Sequence, residues 1–161
     1  LIADAMDMLA DAMVYGVGLY AVGKAVSAKI QAATLSGWLQ AGIGLLVIGD
    51  VVRRLIYGSE PASILMIGMG AIALIANIVC LILISKHREG EVHMRASWIF
   101  SKNDVIANLG VILAGVLVGW TGSRIPDLII GFVVALIVFR GGMLILKDAS
   151  ETKAQDNCST S

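Results

Sequence analysis

The chain is short of charge, cysteine, proline and aromatic residues. Of its 161 residues only 15% are charged, and 12 Lys and Arg balance 12 Asp and Glu, so the formal net charge is zero. A neutral chain exerts no global pull on a polyanion, which removes nucleic acid from the list of partners. There are two cysteines, Cys80 in an apolar run and Cys158 in a polar stretch, too few and too far apart for a disulfide framework or a zinc finger. Both prolines, Pro61 and Pro126, sit at breaks between apolar runs. No nucleophile–base pair and no glycine-rich phosphate cradle occurs, so nothing in the sequence points to an enzyme.

What is abundant is apolar side chain, at 58% of the residues. A soluble domain of this size cannot bury that much, so the chain belongs in a lipid bilayer. About 20 apolar residues cross ~30 Å of hydrocarbon, and on that measure spans are expected near 1–23, 32–57, 62–85, 95–120 and 125–146. The predicted fold is therefore an all-α, polytopic transmembrane helix bundle with five visible spans. The breaks are the stretch Lys24 to Lys29, "YGSEP", "SKHREGEVHMR" and "TGSRIP". Residues 1–149 form the transmembrane domain, and 150–161 read as a short polar tail, expected to be disordered.

Loop charge fixes an orientation. Lys24, Lys29, Lys86, Arg88, Arg95, Lys147 and Lys153 lie on one side of the alternation and Arg53, Arg54 and Arg124 on the other. The richer side faces the cytoplasm. Five spans then place Leu1 outside. One further helix ahead of it would make six, with both ends inside.

The informative residues are acids where a span should have none. In "LIADAMDMLADA", Asp4, Asp7 and Asp11 fall within an arc of about 60° on one helix face. In "WIFSKNDVIANLGV", Asp104 lies halfway along its span, with Ser101 and Asn108 on the same face by i+3 and i+4 spacing. A carboxylate at mid-bilayer costs at least ~2.5 kcal/mol, so cations, protons or cavity water must compensate this set. If the two faces meet, Asp7, Asp11 and Asp104 converge. Oxygen ligands of this kind suit divalent cations, and crowded like charges also bind protons at the same atoms.

These residues also carry a resemblance. "LIADAMDMLADA", "HMRASWIFSKNDVIANLGVILAG" and "PDLIIG" resemble the cation diffusion facilitator family of divalent-metal efflux transporters, over nearly the whole chain to about Ala149. The resemblance implies six transmembrane helices, of which this chain would begin at the second. It implies export of a divalent ion, zinc above all, with cadmium, cobalt, iron or manganese open, in exchange for protons and by alternating access. It also implies a multi-pass protein of the cell's inner membrane, forming a homodimer. In the family a His or Asp followed four residues later by Asp on the second helix pairs with His and Asp at that spacing on the fifth, making a tetrahedral site. Asp7 and Asp11 match the first pair and Asp104 the last aspartate.

Two positions depart from the family. Phe100 stands where the histidine is common, so a fourth ligand would come from Ser101, Asn103, Asn108, Asn77 or water, and the site would be harder than a usual zinc site. The cytoplasmic C-terminal domain of many members has no counterpart here, which would leave dimerisation to the membrane helices. Asp4 is a candidate relay to Asp7. A non-transporting bundle with a structural metal or a protein partner is the alternative, and a proton-coupled organic-cation carrier a third.

The remaining polar residues have local readings. Asp50 is expected to pair with Arg53 and Arg54, Asp127 to cap its helix, and Lys102 to snorkel or meet an acid. Arg140, deep in the last span, either pairs with a buried acid or snorkels. His87 and His93, flanking Glu89 and Glu91, read either as a metal-collecting patch or as a solvated loop. The glycines of the spans, Gly115 and Gly119 among them, are read as packing positions.

Overall fold

A computed structural model describes residues 2–58, 60–85 and 91–159, with the side chains of the first helix described from Ala10 onward. Every regular element among them is a helix. These are α1 (Ile2–Ala21), α2 (Val26–Tyr57), α3 (Ser63–Ser85), α4 (Val92–Thr121) and α5 (Ile125–Ser159). They coincide with the five expected apolar segments. Among the described residues, α2, α3, α4 and α5 are each long and apolar enough to cross a membrane.

Helix ends fall where the sequence supplies glycine. Gly58 ends α2 at a φ of 84° and Gly122 ends α4 at 64°, and their N–H groups reach back to the carbonyls of Arg54 and Val118. Only glycine enters that region without strain.

Three boundaries differ from the sequence reading, each because a charged side chain found a helical partner. First, α2 begins at Val26 rather than near 32, which places Lys29 inside the helix, where it donates to Glu91. Second, α4 begins at Val92, and Arg95 forms a two-pronged pair with Asp148, Nε to Oδ2 and Nη2 to Oδ1 both at 2.9 Å. Third, the expected disordered tail is instead the last stretch of α5, helical to Ser159. No glycine or proline follows Gly142 to stop it, and Lys147 with Glu151 and the Thr152 hydroxyl on the Asp148 carbonyl support the extension.

The packing places α4 at the centre, against α1, α2, α3 and α5. The most extensive contact is between α2 and α5, and it is made of small residues. A β-carbon on Gly44 would lie 2.7 Å from the Phe139 backbone nitrogen, and one on Gly142 2.5 Å from that of Ala41. Gly37 faces Leu146 in the same seam. By contrast α3 packs only on α4 among the described helices, with Gly115 of α4 against Met66 and Ile67 of α3, and turns Ile64, Leu65, Ile72, Ile75 and Leu83 outward. Exposed aliphatic side chains on a helix of this kind face lipid.

The buried apolar cluster lies toward the end of the bundle that holds the α1–α2 turn, where Phe100 is wholly enclosed with Ala10 and Val14 of α1, Ile30 and Ala33 of α2, and Ile145 and Ala149 of α5. At the opposite end Asp50 pairs locally with Arg53 and Arg54 as expected, and Arg54 also reaches Asp127 at 3.1 Å. Asp127 thus ties α5 to α2 besides lying in the first turn of its own helix. Arg140 is exposed on α5 and forms no ion pair with a described carboxylate, leaving the snorkelling arrangement of the two expected.

Candidate metal site between α1, α3 and α4

The carboxylate face of α4 is buried by its neighbours. Asp104 is 6% exposed and Ser101 is fully buried, while Asn108, one turn beyond Asp104, is half-buried. The Ser101 hydroxyl donates to the backbone carbonyl of Asn77 on α3 at 3.4 Å, and the Asn77 side chain is itself buried. Helix α3 therefore closes one flank of the acidic face.

Helix α1 supplies the other flank. Asp11 is half-buried, and one turn further along the same face is Tyr15. The Tyr15 phenol lies within electrostatic reach of Asp11, Asp104 and Cys80 and beside Ser101. One side chain thus borders the acids of both helices. Depth agrees with this: Asp11 is ten residues from the end of α1 at Ala21 and Asp104 twelve from the start of α4 at Val92, on helices that run in opposite senses. At 1.5 Å per residue each lies ~15–18 Å from the same end of the bundle.

Of the residues singled out from the sequence, Asp11, Asp104 and Ser101 lie within electrostatic or hydrogen-bonding reach of Tyr15, Ser101 meets the Asn77 backbone, and Asn108 lies one turn along α4. The side chains of Asp4 and Asp7 lie outside the described residues, as do His87 and Glu89. Among the described residues no cluster of three or more His, Cys, Asp or Glu has metal-holding geometry.

The position where a histidine was sought is filled by hydrocarbon in both senses. Phe100 is absent from the acidic face, because its ring is the centre of the apolar cluster that joins α1, α2 and α5 to α4. The oxygen donors beside Asp11 and Asp104 are hydroxyl, amide and phenol groups, a hard set, with the Cys80 thiol the soft group within reach of Tyr15.

His93 corrects the picture of a solvated loop. It sits on α4, 1% exposed, with Nδ1 3.9 Å from Glu91. Of its two expected arrangements, snorkelling or an acid partner, Lys102 pairs with no described acid; it is exposed, its ammonium over the Trp98 ring one turn earlier at 5.3 Å from the centroid. Tyr15 and Gln40 were missed in the sequence. Tyr15 was findable, being four residues after Asp11 on the same face; Gln40 carries no spacing signal.

A bundle of long apolar helices with an acid buried at mid-depth defines a polytopic membrane protein with a charged interior. The comparisons give the family. The cation efflux transmembrane domain matches residues 1–152, and the chain belongs to that family, the cation diffusion facilitators. It is 26% identical over 123 residues to the cadmium, cobalt and zinc/H(+)-K(+) antiporter of Bacillus velezensis, covering 75% of this chain and 39% of that protein. It is 24% identical over 162 residues to the zinc transporter ZitB of Yersinia pestis, covering 92% and 52%. With the metal cation efflux system protein CzcD of Cupriavidus metallidurans it shares 22% over 161 residues, covering 92% and 51%. The chain thus spans about half the length, or less, of these relatives.

Proposed function

We propose that this chain carries divalent metal cations out of the cytoplasm across the inner membrane, as part of a homodimer, by alternating access coupled to proton entry. Asp7, Asp11 and Asp104 are the charged ligands, with Ser101 and Asn108 as neutral oxygen donors and Asp4 as a relay toward Asp7. The observation that supports the reading is the burial of Asp104 beside Ser101 on α4, with Asp11 of α1 at a matching depth and both acids within electrostatic reach of Tyr15. The names of the relatives, which speak of zinc, cadmium and cobalt, agree with it.

The chemistry follows from the charges. Carboxylates held together in a low-dielectric interior repel one another, so the set takes up either a dication or protons. When the cavity opens to the neutral cytoplasm, the dication wins. When it opens outward, protons displace the ion, and the protonated, nearly neutral set returns at little electrostatic cost. The exchange therefore needs no covalent step. Without imidazole the site loses part of the usual advantage of zinc, and manganese and iron compete better than at a site with histidine.

The test is flux. The purified protein is reconstituted in sealed liposomes loaded with a zinc-sensitive dye, and a pH gradient is imposed. Zinc movement that follows the gradient and collapses in Asp104→Asn is the expected result. Metal binding without flux would identify a structural site and overturn transport, and flux untouched by Asp104→Asn would overturn the ligand set.

A further inference from the structure

The face that α4 turns toward α2 and α5 holds a polar cluster that the carboxylate site does not use. Gln40 of α2 is 1% exposed and Asn103 of α4 7%. Gln40 Nε2 and Oε1 and Asn103 Nδ2 are enclosed without a hydrogen-bond partner among the described residues. Both side chains close over Gly141 of α5: a β-carbon there would collide with the Asn103 amide nitrogen and lie 3.4 Å from Gln40 Nε2. Glycine at 141 is what leaves room for them.

A buried amide atom left unmet forfeits the hydrogen bond it had to water, and three such atoms sit at one spot. The two amides do not satisfy each other, because both turn a donor toward the same point. Rotating one amide would make a single N–H to O bond and still leave a third atom unmet. An anion is disfavoured by Asp104, the next residue on α4, and a cation by the two N–H groups. A water molecule answers all three demands, accepting from Gln40 Nε2 and Asn103 Nδ2 and donating to Gln40 Oε1, and about three bonds is what buried waters make.

We infer that Gln40, Asn103 and the backbone at Gly141 form a water-binding site inside the membrane, between α2, α4 and α5 and apart from the Asp11–Asp104 face. The water is the only polar bridge from α4 to the glycine-stitched α2–α5 pair at that depth among the described residues. It gives α4 a replaceable link to that pair, since a water re-forms its bonds after a small shift where a packed methyl group would not.

Water-edited solid-state NMR of the full chain in lipid bilayers tests this, with ¹⁵N in the Gln and Asn side chains and Gln40→Leu and Asn103→Leu assigning the two signals. Both amides are expected to receive magnetisation from water at short mixing times, and Gly141→Ala, whose β-carbon would push the Asn103 amide out of its place, is expected to slow that transfer severalfold. Should Gly141→Ala fail to fold, Gln40→Met removes two of the three contacts and slows transfer to Asn103 in the same way. Wild-type amides that stay dark to water, or that show a direct Gln40–Asn103 contact in place of it, overturn the proposal. So does transfer that Gly141→Ala and Gln40→Met leave unchanged.

Discussion

The two faces of the bundle that meet at α4 are built on opposite rules. The α2–α5 pair has almost no side chain between its backbones: Gly37, Ala41 and Gly44 on one helix lie against Gly142, Phe139 and Leu146 on the other. The contact between α1 and α4 is slight, and beside its apolar part at Ala10, Val14 and Phe100 it carries the polar residues Asp11, Tyr15, Ser101 and Asp104. In lipid, where apolar burial alone gains little, close backbone approach is what holds helices together. One contact is therefore selected for adhesion. The other tolerates charge that adhesion alone would eliminate, and that is the physical signature of a site.

The comparison is broken most severely from the adhesive side. Gly142→Leu drives a side chain into the Ala41 backbone, which has no rotamer to yield, so overpacking should cost about 1–3 kcal/mol or more. The expected outcome is loss of monodisperse protein in detergent and a melting point well below wild type; an unchanged melting point would mean that the seam is looser than drawn. The polar side should respond the other way. Asp104→Asn removes a charge whose mid-bilayer cost is at least ~2.5 kcal/mol, so thermal stability is expected to hold or rise. Metal affinity should fall by more than the roughly 10–100-fold typical of an outer-shell change. Isothermal titration beside a melting curve separates the two effects, and a parallel fall in both would reduce Asp104 to a packing residue.

Phe100→His sharpens the same contrast at the boundary between the two faces. The phenylalanine ring is wholly buried among Ala10, Val14 and Ile145, so an imidazole there replaces good packing with a polar group short of partners. A loss of about 1–3 kcal/mol is expected. Because that ring points into the apolar cluster and away from the acidic face, the ratio of zinc to manganese affinity should stay fixed. A ratio that rises would show that this position reaches the ion.

How much of this was legible in the sequence follows the same division. Periodicity and breakers gave the five helices, since Gly58, Gly122 and the runs between them act locally. The acidic stripe of α1 and the face of Ser101, Asp104 and Asn108 were visible because 3.6-residue spacing places them together whatever the tertiary structure. Facing across helices was not visible. Nothing local says that Tyr15 would stand between Asp11 and Asp104, that Asn103 would meet Gln40 over Gly141, or that His93 would be enclosed. The end of α5 was misread for a related reason: a polar composition looks like a tail, but without glycine or proline, and with Lys147 pairing Glu151, the helix had no cause to stop before Ser159.

The smallest effect lies at the rim of the bundle beside the start of α4, where Lys29 and Glu91 form one ion pair. Lys29 of α2 donates to Glu91 just ahead of α4, and that hydrogen bond, aided by the nearby positive charge, holds the Glu91 carboxyl below its ordinary value of 4.5. A carboxyl whose pKa is lower folded than unfolded adds stability that is complete above the unfolded value and disappears as pH falls through the folded one. Glu91 is exposed, so screening keeps the contribution small. Melting points of wild type and Glu91→Gln should therefore differ slightly at pH 6, converge as the pH is lowered below 4, and merge at every pH in high salt. A gap that widens on acidification would mean that the protonated form of Glu91 is the stabilising one, and Lys29 could not then be its partner.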